Sequence, residues 1–270
     1  MSIRRILSIL ILPIIASVVS ANLLQADETQ IEEVRDAVPE NANNLQESGA
    51  RSEGGERSIK PGINARFLDP ELDVSEWIAR FEIESREVYL ARQRVLDALN
   101  LKPGMRIADV GAGTGFYSRL FSGAVGGSGW VYAVDISPRF LEHINEQSKT
   151  DQVGNITSVL CTDRSVKLPP KSVDAVFVCD TYHHFEYPQL TLASIRSALK
   201  PDGILNVIDF ERIPGKSSDF IVGHVRAGKD VFQREILDAG FELVEEVKIP
   251  SFRENYFLRF RKAESKDANP

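Results

Sequence analysis

Sulfur and positive charge are both scarce in this 270-residue chain, and each shortage excludes something. Cys161 and Cys179 are the only cysteines, too few for a disulfide scaffold or for a zinc site of the four-cysteine kind. Lys and Arg number 32 against 39 Asp and Glu, a net charge of −7. Such a chain lacks the basic face that releases counterions from nucleic acid, so no nucleic acid partner is expected and a small-molecule or protein substrate is the default. No internal repeat is visible. The apolar run at 6–19 contains Pro13 and spans about 14 residues, short of the roughly 17–25 that a membrane-spanning helix takes.

That run is informative in another way. Arg4 and Arg5 precede it and the small residues Ser20 and Ala21 follow it, the charged, apolar and cleavage regions of a secretory signal peptide. Residues 1–21 are therefore expected to be a signal peptide or, if uncleaved, a membrane anchor and the chain's only contact with a membrane. In both cases the domain lies outside, periplasmic or secreted. A misassigned start would instead leave the protein cytoplasmic, but it has no nearby methionine to use, because the only other one is Met105. Residues 22–64, rich in Glu, Asn, Ser and Gly without an apolar period, predict an acidic, mostly disordered linker. Residues 65–265 are left for one folded domain, and the 43% apolar content suffices for its core.

Within that domain, Val74, Trp77, Ile78, Phe81, Val88, Val95, Leu96 and Leu99 recur at three- and four-residue steps. They predict one amphipathic helix over 74–100, a helical cap ended by Pro103 and Gly104. Then apolar runs at 106–110, 130–134, 156–160, 173–178 and 204–208 alternate with helical stretches at 117–124, 138–149 and 190–199. That alternation predicts an α/β fold, a Rossmann-like doubly wound sheet with helices on both faces. A helix near 229–239 and strands near 241–249 and 255–261 complete seven strands. The short link between the last two makes them an antiparallel hairpin.

The stretch ADVGAGTGFY at 108–117 carries the chemistry. In an open parallel sheet, ligands sit at the carboxyl ends of the strands near the topological switch point, where this turn falls. Gly111 and Gly113 let the backbone approach a ligand closely. A dinucleotide fingerprint would need a third glycine at 116, where Phe116 stands, which speaks against a nicotinamide-linked dehydrogenase; a phosphate loop would need a lysine that is absent. The pattern is D-x-G-x-G-x-G, and Asp109 at its mouth would repel a pyrophosphate but suit a cationic amine. Asp135, about 20 residues on at the end of the second strand, suits both ribose hydroxyls.

ADVGAGTG, VYAVDIS, CTDRSVKLPPKSVDAVFVCDTYHHF and LKPDGILNVIDFER, in that order over residues 71–262, resemble the successive motifs of class I S-adenosylmethionine-dependent methyltransferases. The small-molecule group that includes the ubiquinone/menaquinone-biosynthesis methyltransferases is the most similar. One departure is Asp202, where that group has a second glycine; a turn tolerates Asp there. The resemblance implies S-adenosylmethionine as cofactor and a small-molecule methyl acceptor. It implies a cofactor site built from Asp109, Gly111, Ala112, Gly113, Thr114 and Gly115 at the methionyl end, and Asp135 on the ribose. Ile136 would lie on the adenine face, Asp163 and Arg164 by the adenine amine, and Asp180 toward the methionine or acceptor.

Tyr182, His183 and His184 stand where the acceptor would meet the methyl group. The leaving sulfur of a sulfonium needs no proton, so the enzyme mainly supplies approach geometry. A base is needed only for a protonated nucleophile, and His183 or His184 suits that work near neutral pH. As metal ligands the adjacent pair lacks an evident third partner, and no metal is expected. Tyr89 in the cap and the stretch 211–229, with His224 and Arg226, are candidate covers. The family's strand order, 3-2-1-4-5, would put Cys161 and Cys179 roughly 14 Å apart, beyond the ~7 Å reach of a disulfide. The alternative to an enzyme is an exported, non-catalytic binding protein that keeps the fold. Oligomeric state and the acceptor's identity are not legible in the sequence.

Overall fold

The structure, a computed structural model, describes residues 55–264. The expected signal or anchor segment and most of the expected linker lie outside the described residues. No helix among the described residues is long and apolar enough to cross a membrane.

Five parallel strands form the frame: β1 (Arg106–Val110), β2 (Trp130–Asp135), β3 (Ile156–Leu160), β4 (Val173–Cys179) and β5 (Leu199–Phe210). The hairpin β6 (Phe241–Glu246) and β7 (Asn255–Lys262) completes a seven-stranded sheet of order β3-β2-β1-β4-β5-β7-β6. β7 is antiparallel to both β5 and β6, as the short link predicts. Near-continuous burial along β1 and β4 is what helices on both faces of a parallel sheet produce. The chain reverses direction across the sheet between β1 and β4, which opens a crevice at their carboxyl ends.

Two apolar layers cover the sheet. On one face α6 (Pro188–Ala198) and α8 (Lys229–Asp238) bury Leu192, Ile195, Phe232 and Ile236 against Val176, Leu205 and Phe260. On the other, α3 (Arg92–Leu99) and α4 (Phe116–Val125) bury Val95, Leu99, Tyr117 and Phe121 against Ile107, Phe177 and Phe257. α5 (Pro138–Thr150), with Pro138 in its first turn, packs Leu141 and Ile144 on Ala133 of β2, a proline position whose missing N–H is one no helix needs.

Three expectations change. The single helix over 74–100 is three: α1 (Val74–Phe81), α2 (Glu87–Leu90) and α3. A straight helix of that length would run ~40 Å, past the end of the sheet. The chain instead leaves helical geometry between α1 and α2, where Glu82 pairs with Arg119 (2.8 Å) and Arg86 pairs with Asp180. Residues 55–64, expected in the linker, are pinned to the domain. Glu56 accepts from the Gln189 and Leu190 amides at the start of α6, both at 2.9 Å. Ser58 Oγ donates to Glu186 (2.8 Å), and Asn64 Nδ2 donates to the His184 carbonyl (3.1 Å). Asp202, expected in a turn, lies inside β5. The irregularity is absorbed by a register shift, Val173 pairing with Leu199 and Ala175 with Ile204.

Gly115 precedes α4 with φ +76°, and a β-carbon there would press into the Ile144 side chain. Gly115→Ala therefore combines a left-handed backbone with overpacking, and is expected to cost roughly 2 kcal/mol or more. Urea unfolding of the full chain checks this; a loss below ~0.5 kcal/mol would contradict the packing described.

Candidate functional site

The crevice at the carboxyl ends of β1, β2 and β4 is a cavity of about 530 Å³, within the range of small-molecule sites. Its floor is the glycine turn. Gly111 and Ala112 donate their amides to the Val134 carbonyl at 2.8 and 3.1 Å, which holds the turn against β2. Gly111 has φ +75°, and a β-carbon there would collide with Thr181, so glycine is required at this position on two counts.

Asp109, at the end of β1, is buried. One of its carboxylate oxygens accepts from Ser118 Oγ at 2.6 Å, and among the described residues no Lys or Arg pairs with it. Burial, reinforced by the charge of nearby Asp135, pushes its pKa up to about 7. Asp135 accepts from the Gly113 and Ser137 amides, both at 2.8 Å, and burial raises its pKa to about 6 despite those bonds. Both line the cavity with Gly111, Ala112, Gly113, Thr114, Ile136 and Asp163. Thr114 Oγ1 donates to Glu82 (2.7 Å), joining the floor to the segment after α1.

Three of the expected site residues stand elsewhere. Gly115 does not line the cavity; its role is the backbone entry into α4. Arg164 is turned away from it, lying over the Tyr187 ring at 4.0 Å and pairing with Asp163 at 3.3 Å. Tyr182 is fully buried in the core behind the site, against Phe185 and Phe232, with its hydroxyl donating to Glu235 (3.0 Å). No surface of it reaches the cavity, so it cannot meet an acceptor. Asp180 does line the cavity, but Arg86 and Asn255 Nδ2 (2.7 Å) occupy its two oxygens. Its left-handed backbone, φ +47°, turns the chain from β4 into the 3-10 turn Tyr182–His184.

That turn sets up the other end of the cavity. His183 is 1% exposed, its Nδ1 is 2.8 Å from Asp209 Oδ1, and its Nε2 is buried without a hydrogen-bond partner among the described residues. The expectation that no third ligand stands beside the His183–His184 pair is overturned. α7 (Asp219–His224) brings in His224, its Nε2 3.2 Å from that of His184, and one ring nitrogen from each of the three histidines lies within 4.8 Å of the others. His224 is 40 residues from His184 in a stretch of irregular sequence, so spacing alone gave no signal of this. Burial pushes His184 down to about 2 and His224 down to about 4, so both are neutral at pH 7.

An aromatic wall joins the two ends. Phe67 and Trp77 lie 4.9 Å apart, Trp77 and Phe81 5.1 Å, and Phe67 meets the His184 ring edge-on at 5.3 Å. Tyr89, a candidate cover, packs on Phe116 at 4.7 Å and lines the cavity. Sequence reasoning missed Arg86, Asn255, Phe67 and Phe140 as site residues. Trp77 and Phe81 did carry a signal, as members of the apolar face of α1.

The two acids make stability depend on pH. Their folded pKa values lie above the ordinary 3.8, so the folded chain holds these protons more tightly than the unfolded one. Their contribution is complete below about pH 4 and is lost as pH rises to about 7. Asp109→Asn is expected to flatten that slope and to raise the ligand-free melting temperature at pH 8 by at least ~2 °C. Unfolding curves from pH 4 to 8 check this; equal slopes in the two proteins would contradict it.

A family model described as a methyltransferase domain matches residues 108–207, the span from β1 into β5. The ubiquinone/menaquinone biosynthesis C-methyltransferase UbiE of Bordetella avium is 29% identical over 140 residues, 50% of this chain and 54% of that protein. The chain thus spans about half the length of the curated relatives it matches. Among solved structures, a SAM-dependent methyltransferase from Aquifex aeolicus superposes with a TM-score of 0.62 at 25% identity, covering 70% of this chain and 97% of that one. The [4+2]-cyclase SpnF superposes with a TM-score of 0.56 at 16% identity, covering 66% and 83%, a likeness of fold alone. The sheet order, the glycine turn at its switch point and these likenesses together give the chain a class I S-adenosylmethionine-dependent methyltransferase fold, related at low to moderate identity to the ubiquinone/menaquinone C-methyltransferases.

Proposed function

We propose that this chain is an enzyme that transfers the methyl group of S-adenosylmethionine to a small-molecule acceptor. The observation that carries this reading is Asp109, a buried carboxylate on the cavity wall whose only side-chain partner among the described residues is a serine hydroxyl. A buried acid without a cation is costly, and a methionyl ammonium group would relieve that cost. Asp135 adds a second acid at the end of β2, with lone pairs left for ribose hydroxyls after its two amide bonds. Ile136 and Asp163 lie on the same wall, suited to the face and the amine of an adenine.

When bound, the cofactor supplies an electrophilic methyl group whose leaving sulfur needs no proton. The chain's own work is then placement and exclusion of water. Phe67, Trp77, Phe81 and Phe140 form an apolar wall beside the histidines, which suits an acceptor with an apolar body. At the acceptor end the group placed to handle a protonated nucleophile is His183. Asp209 holds its Nδ1 hydrogen, so that in the neutral ring the lone pair stands on Nε2, which has no partner among the described residues, the orientation logic of a base held by a carboxylate. That dyad favours an enzyme over a non-catalytic binding protein, whose support in the sequence was the export signal together with the lack of an evident base.

Calorimetric titration of the full chain with S-adenosylmethionine and S-adenosylhomocysteine tests the reading. Both are expected to bind, with Asp135→Ala weakening each by more than about 10-fold, the equivalent of ~1.4 kcal/mol. A folded protein that binds neither would sink the proposal, and an unchanged affinity in the variant would displace the assigned ribose site.

A further inference from the structure

Asp209 sets the tautomer of His183. A carboxylate only accepts hydrogen bonds, so the 2.8 Å contact places a hydrogen on Nδ1, and in the neutral ring the lone pair then stands on Nε2. That Nε2 is buried and, among the described residues, unpartnered, an unfavourable condition unless something takes the lone pair. His184 and His224 stand beside it with their Nε2 atoms 3.2 Å apart, and all three residues line the cavity.

We propose that His183, His184 and His224 form a binding site for a divalent transition-metal ion of the zinc class, with one coordination position open to the cavity. The distances suit it. With Zn–N bonds of 2.0–2.1 Å, two vertices of a tetrahedron lie ~3.3 Å apart, close to the 3.2 Å between His184 and His224. One ring nitrogen from each of the three histidines lies within 4.8 Å of the other two, so closing that set to tetrahedral spacing takes a movement of at most about 1.5 Å. An all-imidazole donor set selects zinc, copper or nickel over magnesium or calcium. Three protein ligands with a free fourth position is the arrangement of catalytic rather than structural zinc. Asp209 completes it as the outer carboxylate that orients a ligating histidine.

The competing account is a simple hydrogen bond between His184 and His224. It explains their 3.2 Å contact but leaves the buried Nε2 of His183 with nothing. A metal ion takes a lone pair from each ring. Resting on the transferase reading, such a site would take an acceptor with an ionisable O–H, N–H or S–H. The heteroatom would bind the metal and its proton leave to solvent; a remaining lone pair then forms the bond to the methyl carbon as the S–CH3 bond breaks and its electron pair stays on sulfur. The Nε2 lone pair of His183 then holds the metal rather than the acceptor's proton.

Tag-free full-length protein, stripped with chelator, would be titrated with zinc chloride by calorimetry and with cobalt chloride by visible absorption. About one zinc per chain and a tetrahedral cobalt spectrum are expected. His224→Ala should weaken zinc binding by at least about 100-fold, and Asp209→Asn by about 10–100-fold, the range for an outer-shell partner. Circular dichroism melts of each variant establish that it is folded, and S-adenosylhomocysteine titration is run separately, so failure of the transferase reading is seen independently of failure of the metal site. Wild-type protein that takes up no stoichiometric zinc overturns the proposal whatever the variants do. So does zinc affinity that is unchanged in folded His224→Ala.

Discussion

The ion pair between Arg86 and Asp180 is the contact on which the site's closure depends. Arg86 immediately precedes α2, in the cap, and Asp180 follows β4, at the switch point of the sheet; the Asp180 side chain is 7% exposed. Asn255, at the start of β7, holds the other carboxylate oxygen. One buried acid thus ties together the cap, the parallel sheet and the antiparallel hairpin. Next to it, Glu87 accepts from the amides of Arg253, Glu254 and Asn255, fixing the loop that feeds β7. Removing one partner of such a pair leaves an uncompensated charge, typically costing 3–5 kcal/mol. The break between α1 and α2 is the local distortion that lets Arg86 reach its partner.

Around that latch the cavity has two electrostatic ends. At the glycine turn, Asp109 and Asp135 are acids with no cationic partner among the described residues, each held above its ordinary pKa by burial. At the far end stand imidazoles, two of them held neutral by burial. A cationic, ammonium-bearing ligand is drawn to the first end, while the second offers lone pairs. Between them lie aromatic rings that contribute no charge. The same low-dielectric burial that raises the acids lowers the histidines, so one physical cause gives the two ends opposite chemistry.

Much of the fold was legible because it rests on short-range signals. The apolar runs of β1 and β4 and the proline-started helix α5 are written in consecutive residues. The glycine turn was legible for the same reason, since backbone conformation at Gly111 and the acid before it are local matters. Tyr182 was misjudged because a motif shows which residues are near the site in sequence, not which way each side chain leaves the backbone. In the 3-10 turn His183 faces the cavity while its neighbour Tyr182 faces Phe232. Arg164 failed likewise, through the competing attraction of the Tyr187 ring.

By itself the sequence determined the alternating fold, the position of the ligand crevice and the acids at the ends of β1 and β2, because periodicity and turn chemistry act over a few residues. Tertiary structure alone decided what closes and furnishes that crevice. Arg86 meets Asp180 across 94 residues, His184 meets His224 across 40, and Asn64 reaches the carbonyl of His184 across 120. Such contacts depend on where packed helices come to rest on the sheet, and no local pattern encodes them. The three-histidine cluster is the clearest case, since its members meet only where α7 sets His224 beside the 3-10 turn of His183 and His184.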